Sequence, residues 1–151
     1  MPTAAPRALI TRPEPEASHW VQALQARGIA AAALPLICIA GAPDPQALAG
    51  AQQGLGDYDA VMVVSGSAAR HFFDSNEALA LIQQANTAIK TRVWAPGPGT
   101  AAMLQALGVP AHRIDQPAAD AGQFDSESLW RSVGASVRPG HRVLIVRGGE
   151  A

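Results

Sequence analysis

Three short segments hold the groups with which this chain could do chemistry: Ser65-Gly66-Ser67, Gly97-Pro98-Gly99-Thr100 and Arg147-Gly148-Gly149. Each follows an apolar β-type run, Ala60–Val64, Val93–Ala95 and Val143–Val146 respectively, and each stands where a helical pattern should begin. Hydroxyls, glycine backbone and an arginine at a helix start offer N–H and guanidinium donors, which suit carboxylates or phosphates. A fourth version opens the chain, where Ala8-Leu9-Ile10 runs into Thr11-Arg12-Pro13. In a parallel α/β sheet such loops lie at the carboxyl ends of the strands, where ligands bind. The pattern therefore predicts an acidic ligand held along one edge.

Each segment also has a plainer reading. Gly97-Pro98-Gly99-Thr100-Ala101-Ala102 fits G-x-G-x-x-A, and Asp115 follows the next strand as a ribose-binding acid would in a dinucleotide-binding unit. Otherwise the two glycines make the turn and Thr100 caps the helix. Ser65-Gly66-Ser67 is half of a nucleophile elbow without the Gly-x-Ser-x-Gly that defines one. Ser67 is expected to be the helix N-cap there, with Ser65 free to contact a ligand. Arg147-Gly148-Gly149 lacks the Gly-Lys-Ser/Thr of a phosphate loop, which argues against nucleoside triphosphates. His19, His71, His112 and His141 have no metal-ligand spacing and read as surface or loop residues, and His71-Phe72-Phe73 reads as a helix turned to a core. No metal is expected. Cys38, the one cysteine, sits in Leu36-Ile37-Cys38-Ile39 and reads as a small buried residue.

Strand–helix alternation must position these loops. Residues 7–11 read as a strand and Glu14–Arg27 as a helix, with Trp20, Val21 and Leu24 at helical spacing and Gly28 ending it. Ala31–Ile39 reads as a second strand broken by Pro35, the mark of an edge or of a strand leaving one sheet for another. Gly41–Pro45 is the most linker-like stretch. A helix over 46–54 and a turn at Gly54–Asp57 follow. Strands at 59–64, 91–95, 112–114 and 142–146 then alternate with helices at 67–73, 77–86, 100–107 and 126–136. Crossovers of this length imply a parallel, doubly wound sheet. The opening Leu9–Glu14 and the closing Leu144–Glu150 look alike, which hints at a repeated unit.

Composition narrows the class. In 151 residues, 48% are hydrophobic, 15% are charged and the formal net charge is −1, the profile of a globular domain rather than of a nucleic-acid binder relying on bulk charge. With one cysteine there is no intrachain disulfide and no cysteine-based metal cluster. The first residues lack a signal peptide's apolar core and no apolar run could cross a membrane. The expectation is a cytoplasmic enzyme or binding protein with neither nucleic-acid nor membrane partners.

Taken in order, the pieces resemble the uroporphyrinogen-III synthase family: Leu9-Ile10-Thr11-Arg12-Pro13, Leu34-Pro35-Leu36-Ile37, Tyr58–Val61 leading to Ser65–Ala69, Gly97–Ala101, Asp125–Leu129 and Val143–Gly148. The resemblance implies two flavodoxin-like parallel α/β lobes, with helices on both sheet faces, joined by a two-stranded linker. Residues 1–36 would then be the first strand and helix of an otherwise missing lobe, 37–45 a linker strand and 46–151 most of the second lobe. An incomplete chain is expected on this pattern, inactive by itself. The tyrosine that the family places shortly after the arginine-glycine strand is absent, and Tyr58 stands elsewhere. The implied activity is cyclisation of hydroxymethylbilane, a linear tetrapyrrole with eight carboxylates, to uroporphyrinogen III. Water is lost and the D ring inverted, through an azafulvene and a spiro intermediate, in a monomer without metal or cofactor. Carried over by position, the substrate-binding residues would be Thr11, Arg12, Ser65, Gly66, Ser67, Gly97, Thr100, Arg147 and Gly148, with Thr100 the strongest catalytic choice. Val64-Ser65 stands where many relatives have Thr-Ser, and Gly66-Ser67 where a residue and Asn are usual. Two other readings compete: a dinucleotide-binding domain of an oxidoreductase using Gly97, Gly99 and Asp115, and a non-catalytic lobe of a tetrapyrrole-pathway fusion protein.

Overall fold

Strand–helix alternation becomes two compact units in the computed structural model, which describes residues 7–74, 76–83 and 90–148. The division falls between Gly41 and Ala42.

The first unit is a single βαβ turn. Strand β1 (Arg7–Ile10), helix α1 (Glu16–Gln25) and strand β2 (Ala30–Ala33) place β1 and β2 parallel, with Arg7 opposite Ala30 and Ile10 opposite Ala33. Ala17 of α1 is fully buried. Gly28 has φ +76°, a conformation that a side chain would strain, so the helix ends where glycine permits the turn.

β2 is shorter than the expected Ala31–Ile39. The Leu34 amide still donates to the Ile10 carbonyl at 2.8 Å, but Pro35 has no N–H to offer and Leu36 reaches Thr11 O only at 3.4 Å. No regular structure follows until residue 45, so the 37–45 segment expected as a linker strand is not a strand here. A strand needs a row of backbone partners, and residues 37–43 have none among the described residues. The expectation for Cys38 fails for the same reason: without a sheet face to pack against it is exposed, as are Leu36 at 70% and Ile37 at 64%.

The second unit runs α2 (Pro45–Gln53), β3 (Ala60–Val63), α3 (Gly66–Phe73), α4 (Asn76–Gln83), β4 (Arg92–Trp94), α5 (Pro98–Ala106), β5 (Ile114–Asp115), α6 (Ser126–Val133) and β6 (Val143–Val146). The Asp44 carboxylate starts α2 by accepting from the Gln46 and Ala47 amides, both at 3.0 Å. The expected strand at 112–114 is mostly a 3-10 turn (Ala111–Arg113), and the last turn of the expected 126–136 helix tightens to 3-10 over Gly134–Ser136. The end of the expected 77–86 helix, beyond Gln83, lies outside the described residues.

All four strands are parallel in the order β5-β4-β3-β6. Val61 lies opposite Val93 and Leu144, so these side chains share one face. That face packs on Leu55, Phe72, Ile82 and Leu104, all buried, from the 3-10 turn at Leu55–Asp57 and from α3, α4 and α5. Ala60, Met62 and Trp94 face the opposite side, under Leu129 and Val133 of α6. Helices therefore cover both faces of this sheet, as a doubly wound order requires. Two buried polar groups tie the layers: Gln52 Nε2 donates to Phe72 O at 2.7 Å, and the Thr91 hydroxyl lies 2.7 Å from Tyr58 O and 3.1 Å from Leu55 O.

Candidate functional site

Strand order decides which loops meet. From β3 the chain steps to β4 and then β5, and after α6 it returns to the far side of β3 as β6. Successive crossovers thus wind in opposite directions on either side of β3. Such a switch point opens a crevice beyond the carboxyl ends of the strands. Met62 pairs with Trp94 and Val63 with Val146, and the Val64 amide extends the ladder to Val146 O at 3.1 Å. The residues that leave these strands therefore start at one level. Ser65–Ser67, Gly97–Thr100 and Arg147–Gly148, expected to act together, share this edge. Thr11 and Arg12 belong to the first unit, at the carboxyl end of β1, where both are exposed.

Local structure reverses the expected roles of the two serines. Ser65 is the N-cap of α3: its backbone is extended and its Oγ accepts from the Ala68 amide at 3.1 Å. Ser67 lies inside the first turn. An N-cap must precede the helix, and α3 begins at Gly66, one residue earlier than periodicity suggests. The same correction applies to the plainer of the two readings of Thr100, in which it caps the helix. Gly97 takes the cap position of α5, Pro98 the first helical position, and no side chain caps the helix. Gly97 has no side chain to offer, so the Gly99 and Thr100 amides of the first turn are left for an outside acceptor. The Thr100 hydroxyl has no protein hydrogen bond among the described residues.

Helices α3 and α5 pack closely at this edge. A methyl group at Gly66 would meet Cβ and Cγ of Met103 at 3.7 Å, so the start of α3 rests against the second turn of α5. At Gly97 a methyl group would meet Phe124 Cβ at 3.5 Å, which brings the loop before α6 against the start of α5. Phe124 is 46% exposed at the rim, and nothing in its spacing along the chain marks it as part of the site.

Charges are distributed unequally. Arg12 Nε pairs with Glu16 Oε2 at 2.8 Å on the exposed surface of the first unit, so binding an acidic ligand there means exchanging that partner. Asp115, a ribose-binding candidate on the dinucleotide reading, accepts from Arg92 Nε at 2.8 Å and from a second guanidinium nitrogen of the same residue. Arg92 also donates to His112 O at 2.8 Å. The carboxylate raises the Arg92 pKa through that hydrogen bond, against the opposing cost of partial burial. A carboxylate used in a two-pronged ion pair across β4 and β5 is not available for a ribose, and the dinucleotide reading loses its acidic residue. The four histidines are all exposed.

Asp125 caps α6 at the same end of the sheet, with Oδ1 accepting from the Ser128 amide at 2.8 Å. That bond holds its carboxyl below the usual carboxylate range. A depressed folded-state pKa contributes stability that is present above the ordinary carboxylate pKa and lost as pH falls through the depressed value. Asp125→Asn keeps an accepting oxygen but not the charge, so its melting temperature is expected to fall less than that of the parent on acidification. Parallel melting curves for the two proteins would refute this cap.

Comparison with curated proteins finds no match to the chain. Among solved structures, the uroporphyrinogen III synthase of the extremely thermophilic bacterium Thermus thermophilus aligns over 97% of this chain and 53% of its own, with 16% identity and a TM-score of 0.47. The chain thus spans about half the length of that enzyme. The family model described as Uroporphyrinogen-III synthase HemD matches residues 18–151, which take in the second unit together with β2 and most of α1, and the chain belongs to that family.

Proposed function

We propose that this chain supplies one substrate-binding wall of a uroporphyrinogen-III synthase, acting in the cytoplasm as a monomer on hydroxymethylbilane. The observation that carries this reading is the convergence of three donor-rich loops at the switch point beside β3, with the start of α5 uncapped. A polycarboxylate needs many well-placed donors and little bulk positive charge. Backbone amides at helix starts supply such donors with the positive end of the helix dipole behind them. Family membership supports a tetrapyrrole as that polycarboxylate.

In the proposed reaction, hydroxymethylbilane loses its hydroxyl as water, which leaves an electrophilic methylene carbon. The D ring must then attack through its already substituted carbon, and rearrange through a spiro centre, before direct closure occurs. Positioning decides that contest. Ser67 and Thr100 hydroxyls, with the Gly99 and Thr100 amides, would orient the carboxylates. Thr100 is the side chain we assign to hydrogen-bond the departing hydroxyl or a neighbouring carboxylate, since its own hydroxyl is not engaged by any of the described residues. Arg147 and Gly148 complete the edge.

The test is a coupled assay of the full gene product in which the I and III isomers are separated. Thr100→Val removes the hydroxyl and keeps the shape. Loss of one hydrogen bond to a charged group, worth about 1.5–3 kcal/mol, should lower turnover about 10- to 100-fold. The melting temperature should hold, because a partly exposed site in a first helical turn changes stability by about 0.5 kcal/mol or less. Unchanged formation of the III isomer by this variant would remove Thr100 from the site, and a gene product that forms none at all would remove the function.

A further inference from the structure

We propose that Arg70 is a further binding residue of this edge, anchoring one carboxylate of the tetrapyrrole between α3 and α5. The proposal rests on the functional reading above and adds a side chain that neither the loop motifs nor the family match singles out. Arg70 follows Gly66 by four residues and Ser67 by three, so all three lie on one side of α3. Helical side chains lean toward the N-terminus of their helix, which directs that of Arg70 to the end where the loops converge.

Its observed partner is a poor one. Arg70 Nε donates to Met103 Sδ at 3.4 Å, and a thioether is a weak acceptor. No carboxylate pairs with Arg70 among the described residues, and its other guanidinium N–H groups have no protein acceptor there. Arg92, by contrast, is held by Asp115 and His112 O, and Arg12 by Glu16. Met103 stands three residues after Thr100, on the same side of α5. The Arg70 head group therefore meets a residue that stands one helical turn from Thr100, at the start of α5. Gly66 bears no side chain to close the approach, and Gly99 has open space where a side chain would stand.

Arg70 is also partly buried. The more of an arginine the fold already covers, the less hydration it loses on pairing with a carboxylate. Its planar array of donors fits a carboxylate in two-pronged fashion, which a lysine cannot reproduce. One carboxylate of the substrate would thus be fixed from α3 while its neighbour meets the start of α5, and this pair of contacts would set the orientation of a pyrrole ring.

The experiment is a fluorescence titration of the chain with uroporphyrin III, a stable octacarboxylate, at low and at high salt. Arg70→Met keeps the packing against Met103 and removes the charge, and Arg70→Lys keeps the charge and loses the planar array. Arg70→Met is expected to bind about 10-fold more weakly at low salt, with a shallower salt dependence, and Arg70→Lys to lie between it and the parent. Circular-dichroism melting of both variants separates binding from folding. Parent-like binding by Arg70→Met overturns the assignment and leaves the functional reading intact. Equal weakening in both variants, undiminished by salt, also overturns it, because that pattern belongs to packing. A parent chain that does not bind uroporphyrin III overturns the functional reading and this proposal together.

Discussion

Phe72→Ala should lower the unfolding free energy of the chain by about 3–5 kcal/mol, the cost typical of truncating a fully enclosed aromatic ring. Phe72 is 1% exposed and is the largest fully buried side chain among the described residues. Its ring lies 5.1 Å from that of Phe73 in an edge-to-face arrangement. Truncation removes apolar contact, ends that aromatic pairing and leaves a void under α3 that the surrounding helices cannot fill without moving. Its carbonyl also receives the buried Gln52 amide, so a shift of the α3 backbone would strain a second, polar tie to α2. Domains of this size are stable by about 5–15 kcal/mol, so this single change removes a large part of the total. Urea unfolding followed by circular dichroism measures it, and a loss below about 1 kcal/mol would show that Phe72 is not enclosed as described.

Leu104→Ala is expected to cost about 2–5 kcal/mol, and its consequences should concentrate at the site. Leu104 is fully buried and pins α5 to the face of the sheet that carries Val61 and Val93. Four residues earlier on the same side of that helix stands Thr100. Loosening the pin leaves the amides and hydroxyl at the start of α5 with a wider range of positions, and the proposed function, which depends on positioning, loses most from that freedom. Amide hydrogen exchange should show protection falling along α5 well before it falls in β3 and β4. Equal loss of protection in helix and strands would mean that α5 is not separately anchored by Leu104.

The regular alternation of the second unit is legible in the chain because β3, β4 and β6 each carry an apolar run with a loop of small residues behind it, whereas the two-residue β5 does not. Val61, Val63 and Val93 can be assigned to a core before any fold is known. Strand β2 shows where that legibility stops. Its apolar pattern continues to Ile39, but hydrogen bonding does not, because Pro35 interrupts the donors and no partner backbone follows among the described residues. Cys38 goes with it: an apolar neighbourhood in sequence buries nothing without a sheet to face. The serines of the Ser65–Ser67 loop show a finer limit. Periodicity locates a helix start to within a residue or two, and at a cap one residue exchanges the side chain that is consumed for the side chain that is free.

The α/β class, the loops that offer donors to an acid, and the family can all be read from the amino-acid sequence, because they rest on local patterns and on their order along the chain. Which groups remain available for a ligand emerges only on folding. Among the described residues, Asp115 and Arg12 are taken up by ion pairs and Ser65 by a helix cap, whereas Thr100 is left open and Arg70 is held by nothing stronger than a thioether. Asp115 finds its partner on a neighbouring strand and Arg70 on a neighbouring helix, residues distant in the chain that sheet order brings together, and no spacing along the chain encodes them.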